Sequence, residues 1–297
     1  METITQTSAT TGQIKQINRF GSDAIEKVLA ELGLDKSGAQ RVIEHGDEFA
    51  EAIRNVALTS LKDLSVSSKF KDEEEESDYG YLSGYMPKGI TEQTNRLREL
   101  FPGIGYANEK LAEATLPPNA EGWFAIPRWE KIAPTYNEAV QKVLDLIKQT
   151  RDGKFYNYRE GQLGPKQLRQ HSRMVAVFQK LGDEQKDNDI LVVPAQFGLR
   201  HRGRSVRRAR EVMQSNEFGL GAFAIGIMLL THPERLAHYD DLYVDCAGDE
   251  FDDPDAVVRF DHAPFFYFGG GEVEFGTVWF GVARDYFGSA SAFVPQQ

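Results

Sequence analysis

The run Phe265-Phe-Tyr-Phe268, Gly269-Gly-Gly271, Glu272-Val-Glu-Phe275 restricts the fold more than any other stretch of this 297-residue chain. An aromatic run, three glycines and an arm of alternating polar and apolar residues spell a β-hairpin. Glycine enters the left-handed turn conformations without steric cost, and alternation gives the second arm one buried face. Trp123–Ile126, Ile190–Pro194, Ala222–Leu230, Leu242–Cys246 and Val257–Phe260 read as further strands.

Helical patterns alternate with these strands. Residues 1–20 are polar and read as a disordered tail. Residues 21–66 read as a helical unit of three short helices. The first is capped by Ser22, carries Ile25, Val28, Leu29 and Leu32, and ends at Gly33. The second has the capping-box pair Ser37/Gln40 and ends at Gly46, and the third runs from Asp47 to Leu61. Residues 67–89 read as a linker, because Lys71-Asp-Glu-Glu-Glu-Glu-Ser-Asp78 is too dense in like charge to pack. Within residues 90–297, a helix covers Ile90–Leu100. Thr135 and Glu138 form a capping box ahead of the stripe Tyr136, Ala139, Val140, Val143, Ile147. Gly164-Pro165 opens another helix, with Leu168, His171, Met174, Val175, Phe178 and Leu181 on its buried side and Gly182 after it. The expected class is α+β: a small N-terminal helical unit, then a mixed or largely antiparallel sheet packed with helices.

Charge is spread unevenly. The formal net charge is −11, made up of −7 over residues 1–120, +6 over 121–238 and −10 over 239–297. Six arginines crowd the eleven residues Arg200–Arg210. So many guanidinium groups need an anionic partner: a phosphate, a nucleic acid, or the chain's own carboxylates. The segment follows the strand at 190–194 and enters a helix near Arg204 or Ser205. On a helical wheel Val206, Ala209 and Met213 share one side, and Arg204, Arg207 and Arg208 project from the other. Arg200, Arg202, Gly203, Arg204, Ser205, Arg207 and Arg208 are therefore the candidate phosphate-binding set. Arginine's planar fork binds phosphate oxygens in pairs, a helix start offers free N–H groups, and Gly203 lets backbone come close.

A second candidate is the acidic run Asp240–Asp255. Asp245, Asp249 and Glu250 offer oxygen ligands to a hard cation, Mg²⁺ or Ca²⁺, although their spacing is not that of an EF-hand. With the arginines nearby they would make a phosphodiester-cleaving centre. A solvated acidic turn is the plainer alternative. Val28, Leu32, Leu34, Ala39 and Val42 fit a helix-turn-helix in part, with Gln40, Arg41 and His45 facing DNA. The acidic character of that section opposes nucleic-acid binding. Cys246 with His262 or His201 is a candidate nucleophile–base pair, and a packed cysteine is the plainer account. His171 reads as a hydrogen-bonded core residue. Phe265–Phe268, Phe275, Trp279 and Phe280 offer either a stacking platform for bases or core packing.

A single cysteine excludes an internal disulfide framework and cysteine-based zinc clusters, and fits a reducing compartment. The N-terminus has no signal-peptide pattern. The longest apolar run, Gly219–Leu230, falls short of the roughly 20 residues a membrane helix needs. The expectation is a cytoplasmic protein with no membrane partner.

Four stretches taken together carry a resemblance: Glu121-Gly-Trp-Phe-Ala-Ile-Pro-Arg-Trp129, Val193-Pro-Ala-Gln-Phe-Gly-Leu-Arg-His-Arg-Gly-Arg204, Glu217-Phe-Gly-Leu-Gly221 and Phe287-Gly-Ser-Ala-Ser-Ala-Phe-Val-Pro295. Over most of residues 80–297 the chain resembles a group of uncharacterised hypothetical proteins of environmental bacterial genomes. The resemblance implies a bacterial or bacterial mobile-element origin and carries over no residue role.

Three readings of function follow. The first is a protein that binds phosphate groups of nucleic acid or a nucleotide through Arg200–Arg210. The second is a divalent-metal phosphodiesterase or nuclease using Asp245, Asp249 and Glu250 with the arginines. The third is a structural or interaction protein whose arginines pair with its own acidic C-terminal region, or with a neighbouring subunit in a homo-oligomer. A non-enzymatic role is the leading expectation.

Overall fold

The computed structural model describes residues 10–64 and 69–294. The chain divides into two compact units, Met1–Leu61 and Lys62–Gln297.

In the first unit, α1 (Thr11–Leu32) begins earlier than the sequence suggests. Thr10 and Gln13 form a reciprocal capping box, which starts the helix inside the stretch read as a disordered tail; the rest of that tail, residues 1–9, lies outside the described residues. Gly33, at φ 55°, closes α1 in the left-handed conformation. Asp35 rather than Ser37 caps α2 (Lys36–Glu44), through a 2.6 Å hydrogen bond to the Gly38 amide. α3 covers Gly46–Leu64. Val28, Leu29, Leu32, Leu34, Ile43 and Phe49 are exposed. Of the apolar positions of the helix-turn-helix reading, Val28, Leu32 and Leu34 are thus exposed, and Ala39 and Val42 are half-buried.

The second unit has the expected α+β architecture. After α4 (Ile90–Leu100) come β1 (Gly122–Pro127) and α5 (Tyr136–Thr150), the latter opened by the Thr135/Glu138 capping box. β2 (Phe155–Asn157), β3 (Leu168–Gln170) and α6 (Ser172–Glu184) follow. The single long helix expected from Gly164 is thus a strand and a shorter helix. His171 is the N-cap of α6, its Nδ1 accepting from the Arg173 amide at 3.3 Å, not a residue of a buried helical face. β4 (Ile190–Gln196), α7 (Val206–Val212) and β5 (Glu217–Gly219) lead to α8 (Ala222–Thr231).

α8 replaces the strand expected at 222–230. All ten of its residues are buried, so no polar face interrupts the apolar run, and periodicity cannot distinguish such a helix from a buried strand. The remaining elements are β6 (Tyr243–Asp245), β7 (Asp249–Phe251), β8 (His262–Gly269), β9 (Glu272–Trp279), β10 (Phe287–Ser289) and β11 (Ser291–Phe293). Residues 257–260, expected as a strand, belong to none of these.

β1, β4, β11 and β5 form an antiparallel sheet in that order. The second sheet runs β10-β6-β8-β7-β3, with β9 beside β8 and β2 beside β9; its β10–β6 and β2–β9 pairs are parallel and the rest antiparallel. β8 and β9 are the hairpin read in the sequence, turning on Gly270 and Gly271 at φ 58° and 89°. The core lies among β1, β4, α5 and α8 and continues to Phe251, Phe266 and Phe275 of the second sheet. No helix among the described residues is long and apolar enough to cross a membrane.

The segment read as a linker belongs, from Lys69 on, to this second unit. Glu75 N donates to Gly203 O at 2.7 Å and Ser205 N to Glu73 O at 3.2 Å, which pairs Glu74 with Arg204 in a short antiparallel bridge. Like charge did not prevent packing, because the surface that receives these residues carries the opposite charge.

Candidate anion site and its surroundings

Ser205 fixes the start of α7. Its Oγ accepts from the Arg208 amide at 3.1 Å and donates to Glu73 Oε2 at 2.7 Å. The Arg207 amide donates to Phe280 O at 3.0 Å. The first-turn N–H groups of Arg207 and Arg208, which would have cradled a phosphate, are thus already engaged. Val206, Ala209 and Met213 are buried in a small cluster with Ala247 and Ala263, which sets the opposite face of α7 toward Glu73 and Glu74.

On that face the arginines meet carboxylates. Arg207 Nε lies 2.8 and 2.7 Å from the two Glu73 oxygens, and its Nη2 also donates to Glu73. The same guanidinium lies 4.4 Å from the Phe70 ring centroid and 4.7 Å from that of Trp279. Glu74 pairs with Arg208 at 2.5 Å and with Arg204 at 3.5 Å. Arg208 also binds Glu211 at 2.8 Å. Burial alone would raise the Glu73 carboxyl. Hydrogen bonds from Arg207 and Ser205, with the Arg207 charge, outweigh it and hold Glu73 below the ordinary value. Arg208 and Arg204 do the same for Glu74.

Gly203 does provide a close backbone approach, but to this acidic strap. At φ 75°, a Cβ built on it would lie 2.1 Å from Glu75 O. Arg202 is exposed and donates from Nη1 to Tyr79 O at 3.0 Å.

Arg200 turns the other way, into a buried network. Its Nε lies 3.0 Å from each Glu217 oxygen. Glu217 Oε1 also lies 2.8 Å from His201 Nε2 and accepts from Ser291 Oγ at 2.6 Å. Arg204 Nη1 lies 3.3 Å from His201 Nδ1, so a neutral ring with its proton on Nε2 satisfies both contacts. Burial would raise Glu217, yet His201, Ser291 and Arg200 hold it at about 2. Sequence reasoning passed over Glu217 and Ser291 because nothing local to either signals the contact.

The acidic C-terminal region, expected as the counter-charge, meets the segment at Arg210 Nη1 and Glu250 Oε1, 3.8 Å apart. The three carboxylates proposed as metal ligands are placed apart in function. Asp245 is enclosed, its Oδ1 has no hydrogen-bond partner among the described residues, and burial pushes its carboxyl well up. Asp249 accepts from Tyr136 Oη at 2.8 Å and from the Ala222 amide at 2.7 Å. Burial raises it to about 7, against those hydrogen bonds and the Arg210 charge. Glu250 pairs with Arg169 at 2.7 Å. Among the described residues, no three His, Cys, Asp or Glu side chains are grouped to hold a metal ion.

Cys246 is buried, and burial with Asp249 and Asp245 pushes its thiol well above the usual value, the reverse of an activated nucleophile. His201 faces Glu217, and His262 lies 2.7 Å from Asp261. Phe266 and Phe275 belong to the core, while Phe265 stacks with Tyr267 and Tyr243.

Two concavities lie near these groups. One, of about 290 Å³, has Trp129, Tyr136, Met174, Phe178 and Phe223 in its walls. The other, of about 360 Å³, lies against α7 and includes Phe70, His171, Arg173, Arg207 and Arg210.

Compared with protein-family models, with curated proteins and with solved structures, the chain finds no match in any of the three.

Proposed function

We propose that this is an interaction or structural protein in which Arg200–Arg210 acts as an internal docking element for the acidic strap that follows Lys69. The bidentate pairing of Glu73 with Arg207 is the observation that carries this reading. It is the geometry a phosphate would take in an arginine fork, occupied by a carboxylate from the same chain. Docking holds the strap and, through it, Tyr79 and Gly80 beside Arg202 and Leu242. The acids that answer the arginines are chiefly Glu73, Glu74, Glu211 and Glu217, a different set from the C-terminal run the sequence suggested.

The phosphate-binding reading requires an incoming anion to displace Glu73 and Glu74. The phosphodiesterase reading gains no support from an enclosed Asp245 and a Tyr136-bound Asp249. One experiment separates docking from phosphate binding: replace Arg202, Arg204, Arg207 and Arg208 by alanine, then measure melting temperature and retention on heparin or nucleic acid. Docking predicts a markedly lower melting temperature and no change in retention. Loss of retention at unchanged melting temperature would favour phosphate binding instead.

A further inference from the structure

The first unit leaves much of its apolar surface uncovered. No residue of α1 is buried, and Ile14, Ile17, Phe20, Val28, Leu29 and Leu32 are 40% to 64% exposed. A 22-residue helix is marginal in water on its own and takes its stability from packing an amphipathic face. Ile14, Ile17, Gly21, Ile25, Val28 and Leu32 recur at three- and four-residue spacing and so share one face. A continuous apolar face left in water marks an interaction surface.

The order of residues along α1 favours a second copy of the same helix as the cover. Its first half, residues 11–20, carries Lys15 and Arg19 and no acid, while residues 21–32 carry Asp23, Glu26 and Glu31 against Lys27. A second α1 laid antiparallel therefore brings a basic half to an acidic half at both ends. Centred on Gly21, it sets Ile14 against Val28, Ile17 against the half-buried Ile25, and Arg19 against Asp23. Such a match, of one residue with another and the reverse, is the pattern of a two-fold interface. A parallel pair would instead set Arg19 against Arg19 and Asp23 against Asp23. Gly21 lets the two backbones cross closely, since a Cβ built on it meets nothing within 4 Å. Arg19 and Asp23, 3.8 Å apart within one helix, are both exposed and so accessible to a second chain.

We infer that two copies of the chain pair through antiparallel α1 helices that cross at Gly21. Covering the stripe of one copy with that of the other removes apolar surface from water on both. The charges fix the direction, because opposite signs meet only when the helices run oppositely. The inference goes beyond the docking of the acidic strap, and none of its residues belongs to the second unit.

The test is light scattering of the full chain from low to high micromolar concentration, where a dimer that dissociates on dilution is the expected result. Ile17→Glu raises its dissociation constant about a hundredfold, because the two-fold axis places the buried charge in both chains. Circular dichroism shows whether the helices of that variant persist. Direction is read by oxidising a mixture of Ile14→Cys and Val28→Cys chains. Antiparallel pairing predicts a disulfide-linked dimer with one chain of each kind, and little product from either variant alone. A monomer at every concentration, which would leave the face to a different partner, overturns the inference. So does an Ile17→Glu dimer as tight as the unmodified one, or disulfides formed chiefly between identical chains.

Discussion

Glu73 and Arg207, 134 positions apart in the chain, meet with both carboxylate oxygens within 2.8 Å of the Arg207 Nε. The contact joins a segment dense in negative charge to one dense in positive charge. It lies partly out of water, with side-chain exposures of 13% and 25%. Hydrogen bonding to Glu73 raises the Arg207 pKa, as expected of a guanidinium that gains an anion on folding.

Breaking that pair should loosen the strap. Glu73→Gln or Arg207→Ala is expected to cost about 1–3 kcal/mol, above an exposed ion pair because the hydrogen bonds are charge-assisted and partly shielded. Urea denaturation of the two single variants and the double variant measures the coupling. Additive effects would remove the pair from the account of stability.

Gly203 tests the same docking through the backbone. Alanine there must adopt φ 75° and place its Cβ 2.1 Å from the Glu75 carbonyl oxygen. Gly203→Ala is expected to destabilise by about 1–3 kcal/mol or to release the strap. Limited proteolysis distinguishes the two, since a released strap is cut near Glu73–Asp78 while the remaining protein stays folded.

His232 and Asp249 give opposing pH dependences. Burial depresses His232 to about 4. Its Nε2 accepts from the Lys88 amide at 3.0 Å and its Nδ1 faces Met228 O at 3.1 Å, so protonation costs the Lys88 bond. The stability this neutral ring allows is fully present above its ordinary 6.5 and is lost as pH falls through about 4. Asp249, raised from 3.8 to about 7, behaves in the reverse sense: its contribution is fully present below 3.8 and is lost as pH rises through about 7. The two partly cancel between pH 4 and 6.5, which flattens the wild-type profile there. Unfolding free energies of His232→Gln across this range should rise on acidification, and those of Asp249→Asn should fall. An unchanged profile in both variants would refute the assignment.

The enclosed Asp245 should tolerate loss of its charge. Burial pushes its carboxyl well up and so favours the uncharged acid, and Asp245→Asn is expected to change stability by less than about 1 kcal/mol. Adding Mg²⁺ or a chelator should leave the melting temperature in place. A metal-dependent rise that Asp245→Asn abolishes would restore the phosphodiesterase reading.

Legibility followed the range of the forces involved. The hairpin at Gly270-Gly271, the Thr135/Glu138 cap of α5 and the start of α7 at Ser205 were legible because each is settled within a few residues. α8 was misread because burial on every side removes the periodicity that marks a helix. The Gly164–Gly182 stretch was misread because pairing of β3 with β7 claims Leu168–Gln170 before α6 can begin. The acidic strap was taken for a linker because its partner does not lie nearby in sequence.

The sequence by itself determined the chemistry of the candidate site. Six guanidinium groups in eleven residues demand anions, Gly203 permits a close approach, and Ser205 starts a helix that turns Arg207 and Arg208 away from its apolar side. Which anions answer was decided only by tertiary structure. Coulomb attraction and hydrogen bonding do not depend on position along the chain, so any carboxylate or phosphate could satisfy Arg207. Burial of Val206 and Ala209 against Ala247 and Ala263 sets the orientation of α7, and the strap backbone paired at Gly203 and Ser205 delivers Glu73 and Glu74 to it.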